Sequence, residues 1–284
     1  MRPDFQPDPE LFPFTSRWFD SAVGPVHYVD EGDGPPLLLL HGNPTWSFLY
    51  RHIIRELSSS FRCIAPDYPG FGLSERPAGY RYTPLEHADV VGDLVEHLDL
   101  REYLIMGQDW GGPIGIATAL RDPERVRGLV FGNTWFWPTD RFLNKVFGRV
   151  MSGPMRRRVL EDNYFLEKLL PAGTARTLSE REMDAYRQAQ PPGMREGVAE
   201  LPRQLVTAGP WLQGLAERVP AALGGKPLAL VWGMGDFAFP ARHFVPRWQR
   251  TFADHQLVPL KGAKHFIQED APDRIAAAIR ARYG

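Results

Sequence analysis

An aspartate lies at the centre of a glycine-rich turn, residues 107–112 (GQDWGG), between two apolar stretches. Residues 103–106 predict a buried strand, and residues 113–120 predict the helix that follows it. Small residues two before and two after the central position are typical of a nucleophile elbow, a strained turn that pushes its central side chain out of the sheet. Serine is the usual residue there, but a carboxylate can displace a leaving group from saturated carbon and become an ester. Asp109 therefore favours cleavage of carbon–halogen or epoxide bonds over ester hydrolysis.

Two further polar side chains follow predicted strands later in the chain. Asp236 comes after the apolar run 228–232, and His265 comes after the run 256–260. Ligands of open α/β sheets bind at the carboxyl ends of the strands, so these side chains are expected to meet Asp109. The chain order of nucleophile, acid and histidine is that of the α/β-hydrolase fold. We therefore predict a triad of Asp109, Asp236 and His265.

A loop with the sequence HGNP, residues 41–44, follows the buried run 37–40. In this architecture that loop supplies one backbone N–H to an oxyanion hole, and the residue after the nucleophile supplies another. Asn43 and Trp110 are the predicted donors. Asn43 also suits a turn by itself because it precedes Pro44, and this alternative stays open at this point.

Strand and helix patterns alternate through most of the chain. Besides the strands already mentioned, apolar runs predict strands at 26–29, 61–65 and 126–131. The remaining helices are predicted at 47–57, 84–98, 242–252 and 267–282. This βαβ alternation predicts a mostly parallel sheet flanked by helices, and the α/β-hydrolase fold implies eight strands.

The alternation lapses between about residues 133 and 220, a stretch that looks helical. An insertion after a strand of a parallel sheet covers the carboxyl ends of the strands, where ligands bind. We therefore predict a core domain made of residues 1–134 and 221–284, with a helical cap domain at residues 135–220.

The 284-residue chain carries 33 basic and 34 acidic side chains, and 43% of its residues are apolar. This balance does not suggest a nucleic-acid partner. The early apolar runs are too short for a membrane span, and the first residues lack the apolar core of a signal peptide. The single cysteine, Cys63, rules out an internal disulfide and fits a reducing compartment. We expect a cytoplasmic protein with no membrane association, and a homo-oligomer is left open.

The chain resembles the haloalkane dehalogenases over nearly its whole length. The resemblance rests on residues 41–46 (HGNPTW), residues 67–74 (DYPGFGLS), the elbow at 107–112, Asp236 and His265. The elbow is the most specific of these motifs, because glutamine precedes its aspartate and tryptophan follows it. The other two motifs are shared with many α/β hydrolases.

This resemblance implies a role for each candidate. Asp109 attacks the carbon that bears the halogen, while the indole N–H of Trp110 and the side-chain amide of Asn43 hold the departing halide. His265, oriented by Asp236, then activates the water that hydrolyses the ester. The implied partners are a halogenated small molecule, water and halide, and the implied chemistry needs neither a metal nor an organic cofactor.

Members of the family differ in two of these positions. In some, a glutamate follows the strand before the insertion, but residues 132–135 (GNTW) contain no carboxylate. In others, a second tryptophan holds the halide, which makes Trp135, Trp137 and Trp211 alternatives to Asn43. Asn43, Trp110 and a late aspartate together resemble one branch of the family.

Two other functions stay open on the sequence alone. An epoxide hydrolase also uses an aspartate nucleophile, and it needs cap tyrosines that Tyr164 or Tyr186 could supply. Gln108 and Asn43 favour dehalogenation over that reaction. The second alternative is a relative that binds small molecules without turning them over.

Overall fold

One eight-stranded sheet organises the chain in the computed structural model, which describes residues 3–284. Its strands are β1 (Ser16–Ser21), β2 (Gly24–Glu31), β3 (Pro36–Leu40), β4 (Arg62–Pro66), β5 (Tyr103–Asp109), β6 (Val126–Thr134), β7 (Leu228–Gly233) and β8 (His255–Leu260). Their order across the sheet is β1-β2-β4-β3-β5-β6-β7-β8. The β1–β2 and β2–β4 pairs are antiparallel, and all pairs from β4–β3 to β7–β8 are parallel. The predicted fold class, a mostly parallel α/β sheet, is confirmed.

Helices cover both faces of this sheet and form the inserted segment. They are α1 (Arg51–Leu57), α2 (Pro84–His97), α3 (Gly111–Ala119), α4 (Phe142–Ser152), α5 (Arg156–Glu161), α6 (Leu170–Gly173), α7 (Glu180–Gln188), α8 (Glu196–Thr207), α9 (Gly209–Ala222), α10 (Ala241–Thr251), α11 (Ile267–Asp270) and α12 (Pro272–Tyr283). Short 3₁₀ turns precede α1 and β6, and a π-helical turn, Phe165–Leu169, precedes α6. No helix within residues 3–284 is long and apolar enough to cross a membrane.

The central strands are apolar on both faces because each face packs against helices. Along β3, Leu38 and Leu40 join the hydrophobic core on one side of the sheet, whereas Leu37 and Leu39 join the core on the other. This alternation follows from the two-residue period of a strand. Each of these leucines is fully buried, which stabilises the fold by roughly 1.5–3 kcal/mol per side chain.

Three elements differ from the sequence-based expectation. β1 was not predicted, because Phe19 is the one buried residue of this edge strand and the apolar pattern is therefore weak. The predicted helix 267–282 is divided at Ala271, which has a φ of −150° because a proline disfavours helical geometry in the residue before it. The predicted helix 47–57 begins with a 3₁₀ turn rather than with α1.

The inserted segment follows β6, whose last residue, Thr134, adjoins the proposed start of the cap. Within the insertion α4 packs against α8, and α9 packs against α3 of the core. We keep residues 135–220 as the proposed cap, although residue 220 lies inside α9, which runs to Ala222.

Candidate active site

Asp109 ends strand β5 in a strained conformation. Its φ is 51°, a left-handed value that costs a non-glycine residue about 1–3 kcal/mol. The hydroxyl of Thr134 holds this peptide by donating to the Asp109 carbonyl oxygen at 2.5 Å. Gly111 makes the turn possible, since a Cβ there would lie 2.0 Å from the carbonyl oxygen of Leu40. The predicted elbow thus aims the Asp109 side chain at the cavity it lines.

Two backbone N–H groups contact the Asp109 carboxylate. The N–H of Asn43 donates to Oδ1 at 2.9 Å, and the N–H of Trp110 also donates to this carboxylate. Gly42 permits the approach of the loop, because a Cβ there would lie 2.4 Å from the Asp109 Cβ. Burial raises the pKa of Asp109 above its ordinary value, and the attraction of His265 and the two N–H donors only partly offset this rise.

His265 lies between Asp236 and Asp109. Its Nδ1 is 2.9 Å from Oδ2 of Asp236, and its Nε2 is 3.8 Å from Oδ2 of Asp109. Burial disfavours the imidazolium, but the charge and hydrogen bond of Asp236, together with the charge of Asp109, outweigh it and raise the pKa of His265. Burial alone would raise the pKa of Asp236. The charge and hydrogen bond of His265 and further hydrogen bonds outweigh burial, so the pKa of Asp236 is lowered.

Gln108 fixes the protonation pattern of His265. Its Nε2 lies 3.1 Å from the carbonyl oxygen of His265 and 3.0 Å from His265 Nε2. Because a carbonyl oxygen only accepts, the amide presents its NH₂ group to both atoms. In the neutral imidazole, Nε2 therefore accepts from Gln108, and the single ring proton lies on Nδ1, facing Asp236. The sequence analysis used Gln108 only as a family marker and missed this contact.

Asn133 is a second residue that the sequence analysis missed. It is the penultimate residue of β6, and its Nδ2 donates to Asp236 Oδ2 at 2.8 Å and to the Gly233 carbonyl at 3.1 Å. Its Oδ1 accepts from the Gly233 N–H at 2.7 Å. These bonds tie the acid to its strand. The position of Asn133 near the carboxyl end of β6 was the available signal.

The two predicted halide donors both line the cavity above Asp109. Asn43 directs its Nδ2 to the carbonyl oxygen of Val198 in α8 at 3.1 Å, and it is 8% exposed. The Trp110 indole packs edge-on against Trp135, with ring centroids 4.8 Å apart. The alternative tryptophans 135, 137 and 211 are not part of the cavity wall formed by the described residues.

The cavity has a volume of about 390 Å³ and lies between the core and the inserted helices. Apart from the candidate residues, Asn144 of α4 is the polar side chain that the described part of the chain contributes to its wall. The other cap residues of the cavity wall are apolar, and they are Leu143, Phe147, Phe165, Leu169, Ala172, Gly173, Pro202 and Leu205. Leu143 and Phe237 of the wall are 65% and 76% exposed, so the cavity is open to solvent on the side that these residues line. Such a cavity suits a small apolar substrate.

The loop that carries His265 is attached directly to the insertion. The N–H groups of His265 and Phe266 both donate to the carbonyl oxygen of Gly173, at 3.0 and 3.1 Å. Gly173 ends α6 and also lines the cavity. The inserted segment therefore helps to position the histidine as well as covering it.

Comparison with known proteins agrees with this fold. The family model of the alpha/beta hydrolase fold matches residues 35–272. The chain is 59% identical to haloalkane dehalogenase 2 of Mycobacterium tuberculosis, with 100% of both proteins covered. It is 35% identical to a haloalkane dehalogenase of Sphingobium indicum, with 95% of each covered. The crystal structure of haloalkane dehalogenase DbeA from Bradyrhizobium elkani has a TM-score of 0.87 and 28% identity, covering 94% of this chain and 97% of that one.

The parallel sheet, the elbow and the helical insertion define an α/β hydrolase. Within that class, the full-length identity shows that the chain belongs to the haloalkane dehalogenase family.

Proposed function

We propose that this haloalkane dehalogenase converts halogenated alkanes to alcohol, halide and a proton through a covalent alkyl ester on Asp109. The observation that carries the proposal is the position of the Asp109 carboxylate. Its Oδ1 is held by the Asn43 N–H at 2.9 Å, and its Oδ2 lies on the side of His265. One oxygen is thus bound in an oxyanion hole while the other is available for attack.

In the first step, Asp109 Oδ2 attacks the carbon that bears the halogen. An oxygen–carbon bond forms, the carbon–halogen bond breaks, and the halide leaves with the bonding electrons. Charge develops on the halide inside a largely apolar cavity, where preorganised donors are most effective. The indole N–H of Trp110 and the free N–H of the Asn43 amide supply these donors.

In the second step, water hydrolyses the ester. His265 Nε2 exchanges its contact with Gln108 for the water and takes a proton from it, and the resulting hydroxide attacks the ester carbonyl carbon. The negative charge moves to Oδ1, which the Asn43 N–H already holds, and the Trp110 N–H also stabilises this carboxylate. Asp236 stabilises the imidazolium. Collapse of the intermediate releases the alcohol, restores the Asp109 carboxylate and leaves one proton for solvent.

The absence of a suitable acid at the cavity argues against the epoxide hydrolase alternative. No tyrosine among residues 3–284 lines the cavity. The Tyr186 hydroxyl is buried elsewhere and donates to Glu269 Oε1 at 2.5 Å. An epoxide oxygen would therefore lack the tyrosine proton that its ring opening requires.

The test is intact-protein mass spectrometry of His265→Phe after incubation with 1-bromohexane and, separately, with styrene oxide. The phenylalanine keeps the ring that packs on Phe239 but removes the base. We expect a hexyl adduct on Asp109 with one equivalent of bromide released. The double variant Asp109→Ala/His265→Phe is the control and should gain no mass.

Three results would overturn the proposal. An adduct from styrene oxide alone would support the epoxide hydrolase, and a hexyl adduct that persists in the double variant would remove Asp109 as the nucleophile. Tight binding of 1-bromohexane, with neither an adduct nor release of bromide ion, would support a non-catalytic relative.

A further inference from the structure

A proline interrupts the hydrogen-bond ladder of α8 opposite the candidate halide site. Pro202 lies inside this helix, four residues after Val198. A proline has no N–H to give to the carbonyl of the residue four positions earlier, and its ring pushes that carbonyl away from the helix axis. The carbonyl affected here is that of Val198. Both residues are buried.

The carbonyl oxygen of Val198 accepts a hydrogen bond from a distant part of the chain. Asn43 Nδ2 donates to it at 3.1 Å, although the two residues are 155 positions apart. The donor belongs to the loop after β3, and the acceptor belongs to the insertion. The acceptor that Pro202 leaves without its helical donor is thus the one that the Asn43 amide uses.

We infer that Pro202 is a positioning residue for halide binding, because it turns the Val198 carbonyl towards Asn43 and so fixes the orientation of the Asn43 amide. This inference rests on the proposed role of Asn43 as a halide donor. Pro202 lines the cavity itself, but its effect on the halide passes through Val198 and Asn43.

The orientation matters because the two ends of an amide have opposite polarity. The nitrogen has two N–H groups, so it can donate one to Val198 and the other to a halide. The oxygen would repel both the carbonyl and the anion. Asn43 Oδ1 is buried and has no hydrogen-bond partner among the described residues. Within the described chain, the bond to Val198 is therefore the contact that opposes rotation of the amide.

The test compares two substitutions of Pro202. Pro202→Ala restores a backbone N–H and removes ring volume, whereas Pro202→Val restores the N–H and keeps most of the volume. In both variants the Val198 carbonyl can return to its helical donor, so we expect bromide to bind about three- to tenfold more weakly, the effect of one ordinary hydrogen bond. The measurements are the bromide Kd from quenching of tryptophan fluorescence and the Ki of bromide as a product inhibitor.

Two controls separate this effect from others. Pro246→Ala removes a comparable mid-helix proline from α10 and should leave the bromide Kd unchanged. Asn43→Ala should weaken bromide binding at least as much as either Pro202 variant. If Asn43→Ala leaves the Kd unchanged, the proposed halide role of Asn43 is wrong.

If Asn43→Ala weakens binding and the Pro202 variants do not, only the positioning inference fails. Weaker bromide binding in Pro202→Ala but not in Pro202→Val would also overturn it, because the lost ring volume in the cavity would then explain the effect. Both variants should keep the helix, since alanine and valine are better tolerated than proline in a helix interior.

Discussion

The Nε2 atom of His265 lies 3.8 Å from Oδ2 of Asp109, which is beyond hydrogen-bonding distance. The histidine therefore does not donate a proton to the attacking oxygen, and that oxygen keeps its electron pair for the substrate. Gln108 reinforces the arrangement by donating to the same Nε2 at 3.0 Å. The base and the nucleophile are thus adjacent but separate, as a two-step reaction requires.

The strained backbone at Asp109 predicts how substitutions of this residue change stability and activity. Asp109→Gly and Asp109→Ala should both abolish halide release. The glycine variant should unfold at a higher temperature than the alanine variant and be more stable by about 1 kcal/mol, because only glycine adopts a φ of 51° without strain. Thermal and urea unfolding measure the difference. Equal stability of the two variants would show that this backbone conformation is not strained.

The charge of Asp236 predicts the pH dependence of ester hydrolysis. His265 must be neutral to accept a proton, so hydrolysis slows as the pH falls through its raised pKa. Asp236→Asn removes the charge that raises this pKa while burial, which lowers it, remains. The acid limb of the hydrolysis rate should therefore move down by about one pH unit or more, and the maximal rate should fall.

Single-turnover kinetics over a range of pH, with Asp254→Asn as an exposed control, measure this shift. An unchanged acid limb in Asp236→Asn would mean that Asp236 does not set the pKa of His265.

The contact of Gln108 with His265 predicts a selective effect on the second step. Gln108→Leu keeps a similar volume but loses the donor that orients the imidazole. We expect the first step to proceed at nearly its original rate while hydrolysis slows about tenfold. A tenfold change in rate corresponds to the free energy of roughly one hydrogen bond. A rapid burst of bromide followed by slow turnover would report this result in stopped-flow measurements. A slower burst with unchanged later turnover would contradict it.

A buried ion network predicts the largest effect on stability. Arg51 is fully buried and donates to Glu269 at 2.6 Å and to Glu182 at 2.7 Å, so it joins the core to α7 of the insertion. Arg51→Met leaves the buried Glu269 carboxylate with less compensation. We expect the free energy of unfolding to fall by about 3–5 kcal/mol, as when one partner of a buried pair is removed.

The matched control is Arg157→Met, which breaks an exposed pair with Glu161 on α5. This change should lower the free energy of unfolding by about 0–1 kcal/mol. Urea unfolding of both variants measures the difference, and similar losses in the two would show that burial does not strengthen the Arg51 network.

The sequence by itself determined the elements whose signals are local. The elbow around Asp109 combines glycines, an apolar strand and a helix within about fifteen residues, so its turn and its chemistry could be predicted together. Asp236 and His265 could also be proposed from the sequence, because each lies within five residues of the end of an apolar run. The parallel sheet then places the ends of these strands at one edge.

Only the tertiary structure decided the contacts that tune this site. Asn43 meets Val198, Asn133 meets Asp236, and Gln108 meets His265 across 155, 103 and 157 positions of the chain. No short pattern encodes such pairs, because each depends on how whole elements pack. The edge strand β1 escaped prediction for a related reason: its pairing with β2 defines it, while its own sequence buries little apolar surface. Local sequence specified which groups could react, and long-range packing specified how they are oriented.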